Sequence, residues 1–211
     1  VLTKHRCPVW VGYLLLVPWR RLWHPPEGIL RAYVNSGDRV LDLGCALGYF
    51  SLPLARLVGP AGRVVCVDVQ EVMLRKLRRR AARAGLAERI ETRTSAELDL
   101  GLDDLDRQVA FVLAFAVLHE THDEAGALAQ VARVLAPGGR LLVAEPRGHV
   151  PAATFSRTLA HASRAGLSVC ERPAVPLCHA ALLSPALPAA VPDSQATPDQ
   201  PLNQTSRGGA A

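Results

Sequence analysis

The chain of 211 residues has no C-x-x-C pair, no histidine spacing that would complete a zinc site and no helical H-x-x-x-H pair. Those gaps exclude the common structural-zinc frameworks, and no metal is expected. Five cysteines (Cys7, Cys45, Cys66, Cys170 and Cys178) are present. An odd number set in apolar, strand-like runs reads as reduced thiols of a cytoplasmic protein. A Cys170–Cys178 disulfide across a hairpin is the disfavoured alternative. No apolar run reaches the ~20 residues that a membrane span needs. The run near the start, Val9 to Val17, is interrupted by Gly12, and no small-residue cleavage site follows it before Trp19 and the arginines. A signal peptide is therefore not expected. Aromatics are scarce, at 5%.

What is present suits one α/β domain. Half the residues are apolar, 49%, and 20% are charged, enough for a full core but short for two domains. The net charge is +5 and the pI near 9.3. Much of the excess sits in one helical stretch, Arg75, Lys76, Arg78, Arg79, Arg80 and Arg83, with Arg20 and Arg21 near the start. A basic run on a helix reads first as a solvated outer face, so charge alone decides little about partners.

Residues 1–26 are rich in aromatics and prolines and read as a short helical lid segment. From residue 27 to 183 strand and helix patterns alternate, the mark of a doubly wound parallel sheet. Pro26 suits the first turn of a helix over Glu27–Val34. Strands are expected at Arg39–Gly44, Arg63–Asp68, Arg89–Thr94, Gln108–Phe115 and Arg140–Glu145. Helices fall at Tyr49–Val58, Glu71–Ala84, Asp123–Leu135 and Thr154–Ala165. Leu167–Glu171 and Leu177–Leu183 read as a closing antiparallel pair. From Ser184 to Ala211 proline mixes with Ala, Ser, Gln, Thr and Gly without one aromatic, and this segment is read as a disordered tail.

The informative motif is Val40-Leu-Asp-Leu-Gly-Cys-Ala-Leu-Gly-Tyr-Phe50. A strand runs out into a glycine turn and a helix, the place where open α/β sheets bind ligands. Gly44 permits the sharp turn, and Gly48 lets the helix start lie close to a ligand. Two nucleotide-type ligands compete. A nicotinamide fingerprint requires G-x-G-x-x-G, and Gly44-Cys-Ala-Leu-Gly48-Tyr misses two of its glycines. Asp42 offers the other reading, because a carboxylate here accepts from a cationic amino group and repels pyrophosphate. Asp68, twenty residues beyond Gly48, can take both ribose hydroxyls.

With these residues in view, residues 25–183 resemble a class I S-adenosylmethionine (SAM)-dependent methyltransferase. The matching pieces are V-L-D-L-G-C-A-L-G, V-V-C-V-D, F-A-V-L-H-E and L-A-P-G-G-R-L-L-V-A-E-P, in that order. The resemblance implies a seven-stranded, mostly parallel sheet of order 3-2-1-4-5-7-6 flanked by helices, with SAM over the carboxyl ends of the first two strands. By position, Asp42 and Gly44 would border the methionine moiety and Asp68 would hold ribose. Val69 would flank the adenine, Ser95, Ala96 and Glu97 would lie by its edge, and Phe115 and Ala116 would line the floor near the sulfonium. The family usually has glycine where this chain has Ala46, beside the bound methionine. If the backbone there needs positive φ, that methyl costs ~1 kcal/mol or more.

Methyl transfer needs alignment and sometimes a base. His119 and Glu145, expected at the carboxyl rim, are the candidate catalytic pair, with Glu120 and His149 nearby. Each has a plainer reading: His119 as a cap, Glu145 as an acceptor for backbone N–H groups, His149 as a loop histidine. Cys7, Trp10, Trp19, Trp23 and His24 form either a lid over the substrate pocket or a cover for the sheet.

The leading expectation is methyl transfer to a small-molecule acceptor, without a membrane partner. Methylation of RNA or protein is the runner-up, motivated by the arginine helix. Against nucleic acid stands the lack of an N/D-P-P-Y/F motif after the fourth strand and of a nucleophilic cysteine after the fourth or fifth. A non-catalytic SAM-binding protein is the third reading, motivated by Ala46.

Overall fold

The computed structural model describes residues 24–96 and 98–186. The first-segment residues 1–23, Glu97, and residues 187–211 of the expected tail lie outside the described residues. The sheet has seven strands: β1 Arg39–Leu43, β2 Arg63–Asp68, β3 Ile90–Thr94, β4 Val109–Phe115, β5 Leu135–Pro146, β6 Leu167–Glu171 and β7 Cys178–Pro185. Their order is β3-β2-β1-β4-β5-β7-β6. The first five run parallel to one another, and β7 runs antiparallel to both β5 and β6.

Side-chain alternation along the strands divides the core into two halves. Leu41, Leu43, Val65, Val67, Val112 and Ala114 pack on one face. There they meet Leu128 and Val131 of α4 (Glu124–Val134) and Phe155 and Ala162 of α5 (Ala152–Arg164). Val40, Val64, Cys66, Phe111 and Leu113 pack on the other, under α1 (Pro26–Leu30), α2 (Ser51–Leu57) and α3 (Glu71–Arg83). Burial on both faces is why β2 and β4 read as unbroken apolar runs. The edge strand β3 is only partly buried and carries charge: Arg93 pairs with Glu91 at 2.5 Å and with Asp104 at 2.5 Å. Such an edge discourages pairing with another chain.

Helix limits follow local chemistry. The Asp123 side chain accepts the Gly126 N–H at 2.9 Å and so caps α4. On α3 the apolar stripe Met73, Leu74, Leu77 and Ala81 faces the sheet, and the helix stops at Gly85, φ +68°. Several expected limits move, among them the start of β5, which lies at Leu135 instead of Arg140 and takes Pro137-Gly138-Gly139 into the strand. The first helix ends at Leu30 instead of Val34, and β7 continues through Ser184 and Pro185, with the Ala186 N–H bonded to the Gly166 carbonyl at 2.8 Å. Pairing with β6 places those two residues in the sheet despite the change of composition at Ser184. Among the described residues no helix is long and apolar enough to cross a membrane.

Strand order reverses direction between β1 and β4, so the connections leaving those strands diverge and open a crevice at their carboxyl ends. The side chains singled out in the sequence converge on that edge.

Candidate functional site

The cofactor side begins with Asp42, next to last in β1 and 3% exposed. Among the described residues its hydrogen-bond donor is Ser51, whose Oγ donates to Oδ2 at 2.5 Å. Ser51 opens α2 and is itself fully buried, 0% exposed. Burial lifts the Asp42 carboxyl to about 7; the Ser51 hydroxyl opposes that rise and the neighbouring Asp68 adds to it.

Asp68 closes β2 and is differently supplied. Its Oδ2 accepts the Ala46 N–H at 2.9 Å and its Oδ1 the Gln70 N–H at 2.8 Å. Burial raises this carboxyl too, while the two backbone donors lower it. Each oxygen keeps a second lone pair for further donors. The arrangement ties the glycine turn to the tip of β2, which the bonds from Gly44 and Cys45 N–H to the Val67 carbonyl reinforce.

Ala46 has φ +45°, so the conformation that favours glycine is imposed on alanine. It is this turn that aims its N–H at Asp68. A second alanine, Ala116, stands at φ +55° just beyond β4, with its N–H on the Ala144 carbonyl at 2.7 Å. The glycines serve a purpose that the sequence did not reveal. At Gly44, φ +70°, a Cβ would overlap the Val117 side chain, and at Gly48, φ +79°, it would overlap Leu77. The close approach of Gly48 is to Leu77 of α3. Arg80 departs from the expected solvated face as well: its guanidinium donates to the Leu47 carbonyl and fastens α3 to the same turn. Arg75, Arg79 and Arg83 do stay on the exposed face.

Val69 is 45% exposed, an apolar side chain left open beside Asp68. Ser95 follows β3 with its N–H on the Asp68 carbonyl at 3.1 Å, and Ala96 is exposed with its N–H on the Asp99 carbonyl at 2.8 Å.

The remaining candidate residues lie at the ends of β4 and β5. Phe115 closes β4 and packs against Phe50, centroids 4.6 Å apart, and edge-on to His24 at 5.1 Å. His24 is held by the Tyr49 hydroxyl, which donates to its carbonyl at 2.8 Å, and its Nε2 lies 2.7 Å from the Pro176 carbonyl. Cys178 Sγ is 3.7 Å from the same nitrogen. Cys170 and Cys178 are free thiols.

His119 and Glu145, expected on one rim, are in direct contact: His119 Nδ1 lies 2.5 Å from Glu145 Oε2. Glu145 is 1% exposed and its other oxygen accepts the Leu118 N–H at 2.8 Å and the His119 N–H at 3.4 Å. The histidine is 22% exposed, and its Nε2 sits 3.8 Å from Glu120, whose carboxyl burial raises. His149 is exposed on the following loop and does not join the pair. Among the described residues no cluster of His, Cys, Asp and Glu could hold a metal ion.

The donor set on the cofactor side is chemically specific. Two buried carboxylates at neighbouring strand tips, with no described cation bonded to either, suit a ligand bearing an ammonium group and a ribose diol, and oppose a pyrophosphate. Comparison with known proteins gives this chemistry a family. Residues 34–182 match the family model described as "Methyltransferase domain", so the chain belongs to the class I SAM-dependent methyltransferases. Its cofactor is S-adenosyl-L-methionine.

Among curated proteins the chain is similar to the ubiquinone/menaquinone biosynthesis C-methyltransferase UbiE of Pseudomonas putida, 38% identical over 112 residues. That match covers 53% of this chain and 43% of the relative, so the chain spans less than half the length of the curated protein it matches. Among solved structures, a SAM-dependent methyltransferase from Aquifex aeolicus superposes with a TM-score of 0.75 at 25% identity, covering 84% of this chain and 98% of that one. A structure from Methanococcus maripaludis named as an S-adenosyl-L-methionine-dependent methyltransferase gives 0.73 at 13% identity, covering 90% and 100%, and shows the shared fold alone.

Proposed function

We propose that the protein is an enzyme that moves a methyl group from SAM to a small-molecule acceptor lying over the carboxyl ends of β4 and β5. In this reading Asp42, Gly44 and Ala46 border the methionine moiety, and Gly48 lets the start of α2 lie close to the cofactor. Asp68 takes the ribose hydroxyls, Val69, Ser95, Ala96 and Glu97 surround the adenine, and Phe115 lines the floor beneath the sulfonium. When bound, SAM supplies a methyl group on a positively charged sulfur.

The observation that carries the acceptor half is the 2.5 Å contact between His119 Nδ1 and Glu145 Oε2. Glu145 fixes the imidazole in the tautomer that bears its proton on Nδ1, which makes Nε2, 3.8 Å from Glu120, the basic nitrogen. A hydroxyl brought to Nε2 gives up its proton there, and the electron density it gains turns the acceptor into a nucleophile. Glu145 then shares the imidazolium charge from a buried position. His119 is thus the base and Glu145 the positioning residue behind it. The similarity to a C-methyltransferase supports an acceptor of this type, because a ring carbon next to a hydroxyl becomes nucleophilic once that hydroxyl is deprotonated.

The test is transfer of label from methyl-labelled SAM to a panel of small phenols and hydroquinones, with wild-type protein and His119→Gln. Incorporation that falls at least a hundredfold in the variant supports the reading. Equal incorporation by both removes His119 from the chemistry.

A second reading, methylation of RNA, has one specific observation in its favour: Arg75, Arg79 and Arg83 form an exposed row at four-residue spacing on α3. Affinity for RNA falling steeply with salt, and lost on substituting those three arginines, would favour it.

A further inference from the structure

We propose that Ser51 is a positioning residue of the cofactor site: its hydroxyl holds the Asp42 carboxyl at the carboxyl end of β1, and docking of an ammonium group against that carboxyl releases one proton from Asp42 to solvent. The inference rests on the assignment of Asp42 and Asp68 to the cofactor made above.

The geometry is that of a buried pair. Ser51 Oγ donates to Asp42 Oδ2 at 2.5 Å, and the two side chains are 0% and 3% exposed. A serine in the first turn of an otherwise apolar helix, Ser51–Leu57, is sealed from water with its polar atom turned towards the end of β1. That leaves Oδ1 as the oxygen on which a ligand's donor can land.

The surroundings of Asp42 bias it towards its neutral form. Asp68 on β2 is a like charge, Cys45 in the turn and Cys66, its register partner on β2, are buried free cysteines, and Leu113 on β4 is apolar. Arg80 from α3 reaches the same turn but bonds the Leu47 carbonyl. One hydroxyl is little compensation for a carboxylate taken out of water. An arriving ammonium group supplies the missing charge. The O–H bond of the Asp42 carboxyl then breaks, its proton goes to water, and the Ser51 bond persists on Oδ2.

The experiment is isothermal titration calorimetry of the full chain with S-adenosylhomocysteine and with adenosine, from about pH 5.5 to 8, in phosphate and in Tris. Both ligands carry the adenine and ribose, and only the first carries the ammonium. S-adenosylhomocysteine affinity is expected to fall towards tenfold per pH unit on the acid side of neutrality, with binding heats that differ between the buffers. Adenosine affinity is expected to stay flat. Ser51→Ala should move the break in the pH profile upward, Ser51→Thr should restore it, and Asp42→Asn should abolish the buffer-dependent heat. Buffer-independent heats for S-adenosylhomocysteine, the same pH profile for adenosine, or an unshifted break in Ser51→Ala would each overturn the proposal while leaving the cofactor assignment standing. Failure of both ligands to bind at any pH would overturn the assignment and the proposal together.

Discussion

Asp42 and Glu145 are both buried carboxylates near the carboxyl ends of central strands, 3% and 1% exposed, yet their surroundings are opposite. Glu145 receives two backbone N–H groups and the His119 ring, so protein donors satisfy both of its oxygens. Asp42 receives one hydroxyl and faces a second acid. A buried charge is tolerable when the protein supplies its partners and costly when it does not. Glu145 is therefore built into the fold as support for His119, and Asp42 is left short of a partner that an incoming cation can provide. In the function proposed above, the difference separates an acid that supports a side chain from one that receives the cofactor on the same sheet edge.

The sharpest break of this contrast is kinetic. His119→Ala should lower turnover by roughly 10²–10⁴ while leaving affinity for S-adenosylhomocysteine unchanged, the usual range for loss of a general base. Single-turnover rates beside calorimetric affinities measure the two effects separately. A matching fall in cofactor affinity would place His119 on the wrong side of the site.

Next in size is the pH dependence of stability. An aspartate whose carboxyl is raised from 3.8 to about 7 binds more protons folded than unfolded in that interval. Stability contributed through Asp42 is thus full below about pH 4 and is lost as pH rises towards 7, on the order of 1 kcal/mol per pH unit. In urea titrations of the ligand-free protein, Asp42→Asn should flatten this slope and raise stability near pH 8. A variant less stable than wild type at that pH would contradict the picture of an under-supplied acid.

Glu145→Gln should do the reverse. It turns one accepting oxygen into a donor facing N–H groups, and is expected to cost about 2 kcal/mol, with a melting temperature lower by several degrees. Opposite signs for two acid-to-amide changes on the same sheet edge would be difficult to reconcile with any account that treats the carboxylates alike.

The smallest effect concerns the strained turn. Ala46→Gly should raise stability by up to about 1 kcal/mol, because φ +45° carries no penalty for glycine, less what the freer unfolded chain regains. Thermal melts would check it, and an unchanged or lower melting temperature would show that the turn is not strained.

Much of this was legible in the sequence, and the reasons are local. Apolar runs alternating with helix patterns placed β1 to β4 and the second half of β5, and the resemblance to methyltransferases supplied the strand order found here. The positive φ at Ala46 follows from the glycine usual at that position. That His119 and Glu145 share a rim followed from their position just past strand ends, but not that they touch. Ser51 beneath Asp42, Arg80 on the Leu47 carbonyl, and Val117 and Leu77 in the spaces beside Gly44 and Gly48 were invisible. Each joins segments whose approach only the packed sheet decides, and no spacing encodes it. Ser51 had one weak signal, a polar residue within an apolar helical stretch.

The most direct measurement is ligand-induced stabilisation of wild-type protein and Asp68→Ala by S-adenosylhomocysteine and by NAD. At a hundred times its dissociation constant, S-adenosylhomocysteine should add about 2.7 kcal/mol to wild type. At the same concentration it should add almost nothing to Asp68→Ala, and NAD should leave both unmoved. Stabilisation by NAD, or an equal response of both proteins to S-adenosylhomocysteine, would contradict a cofactor site built on the carboxylates of Asp42 and Asp68.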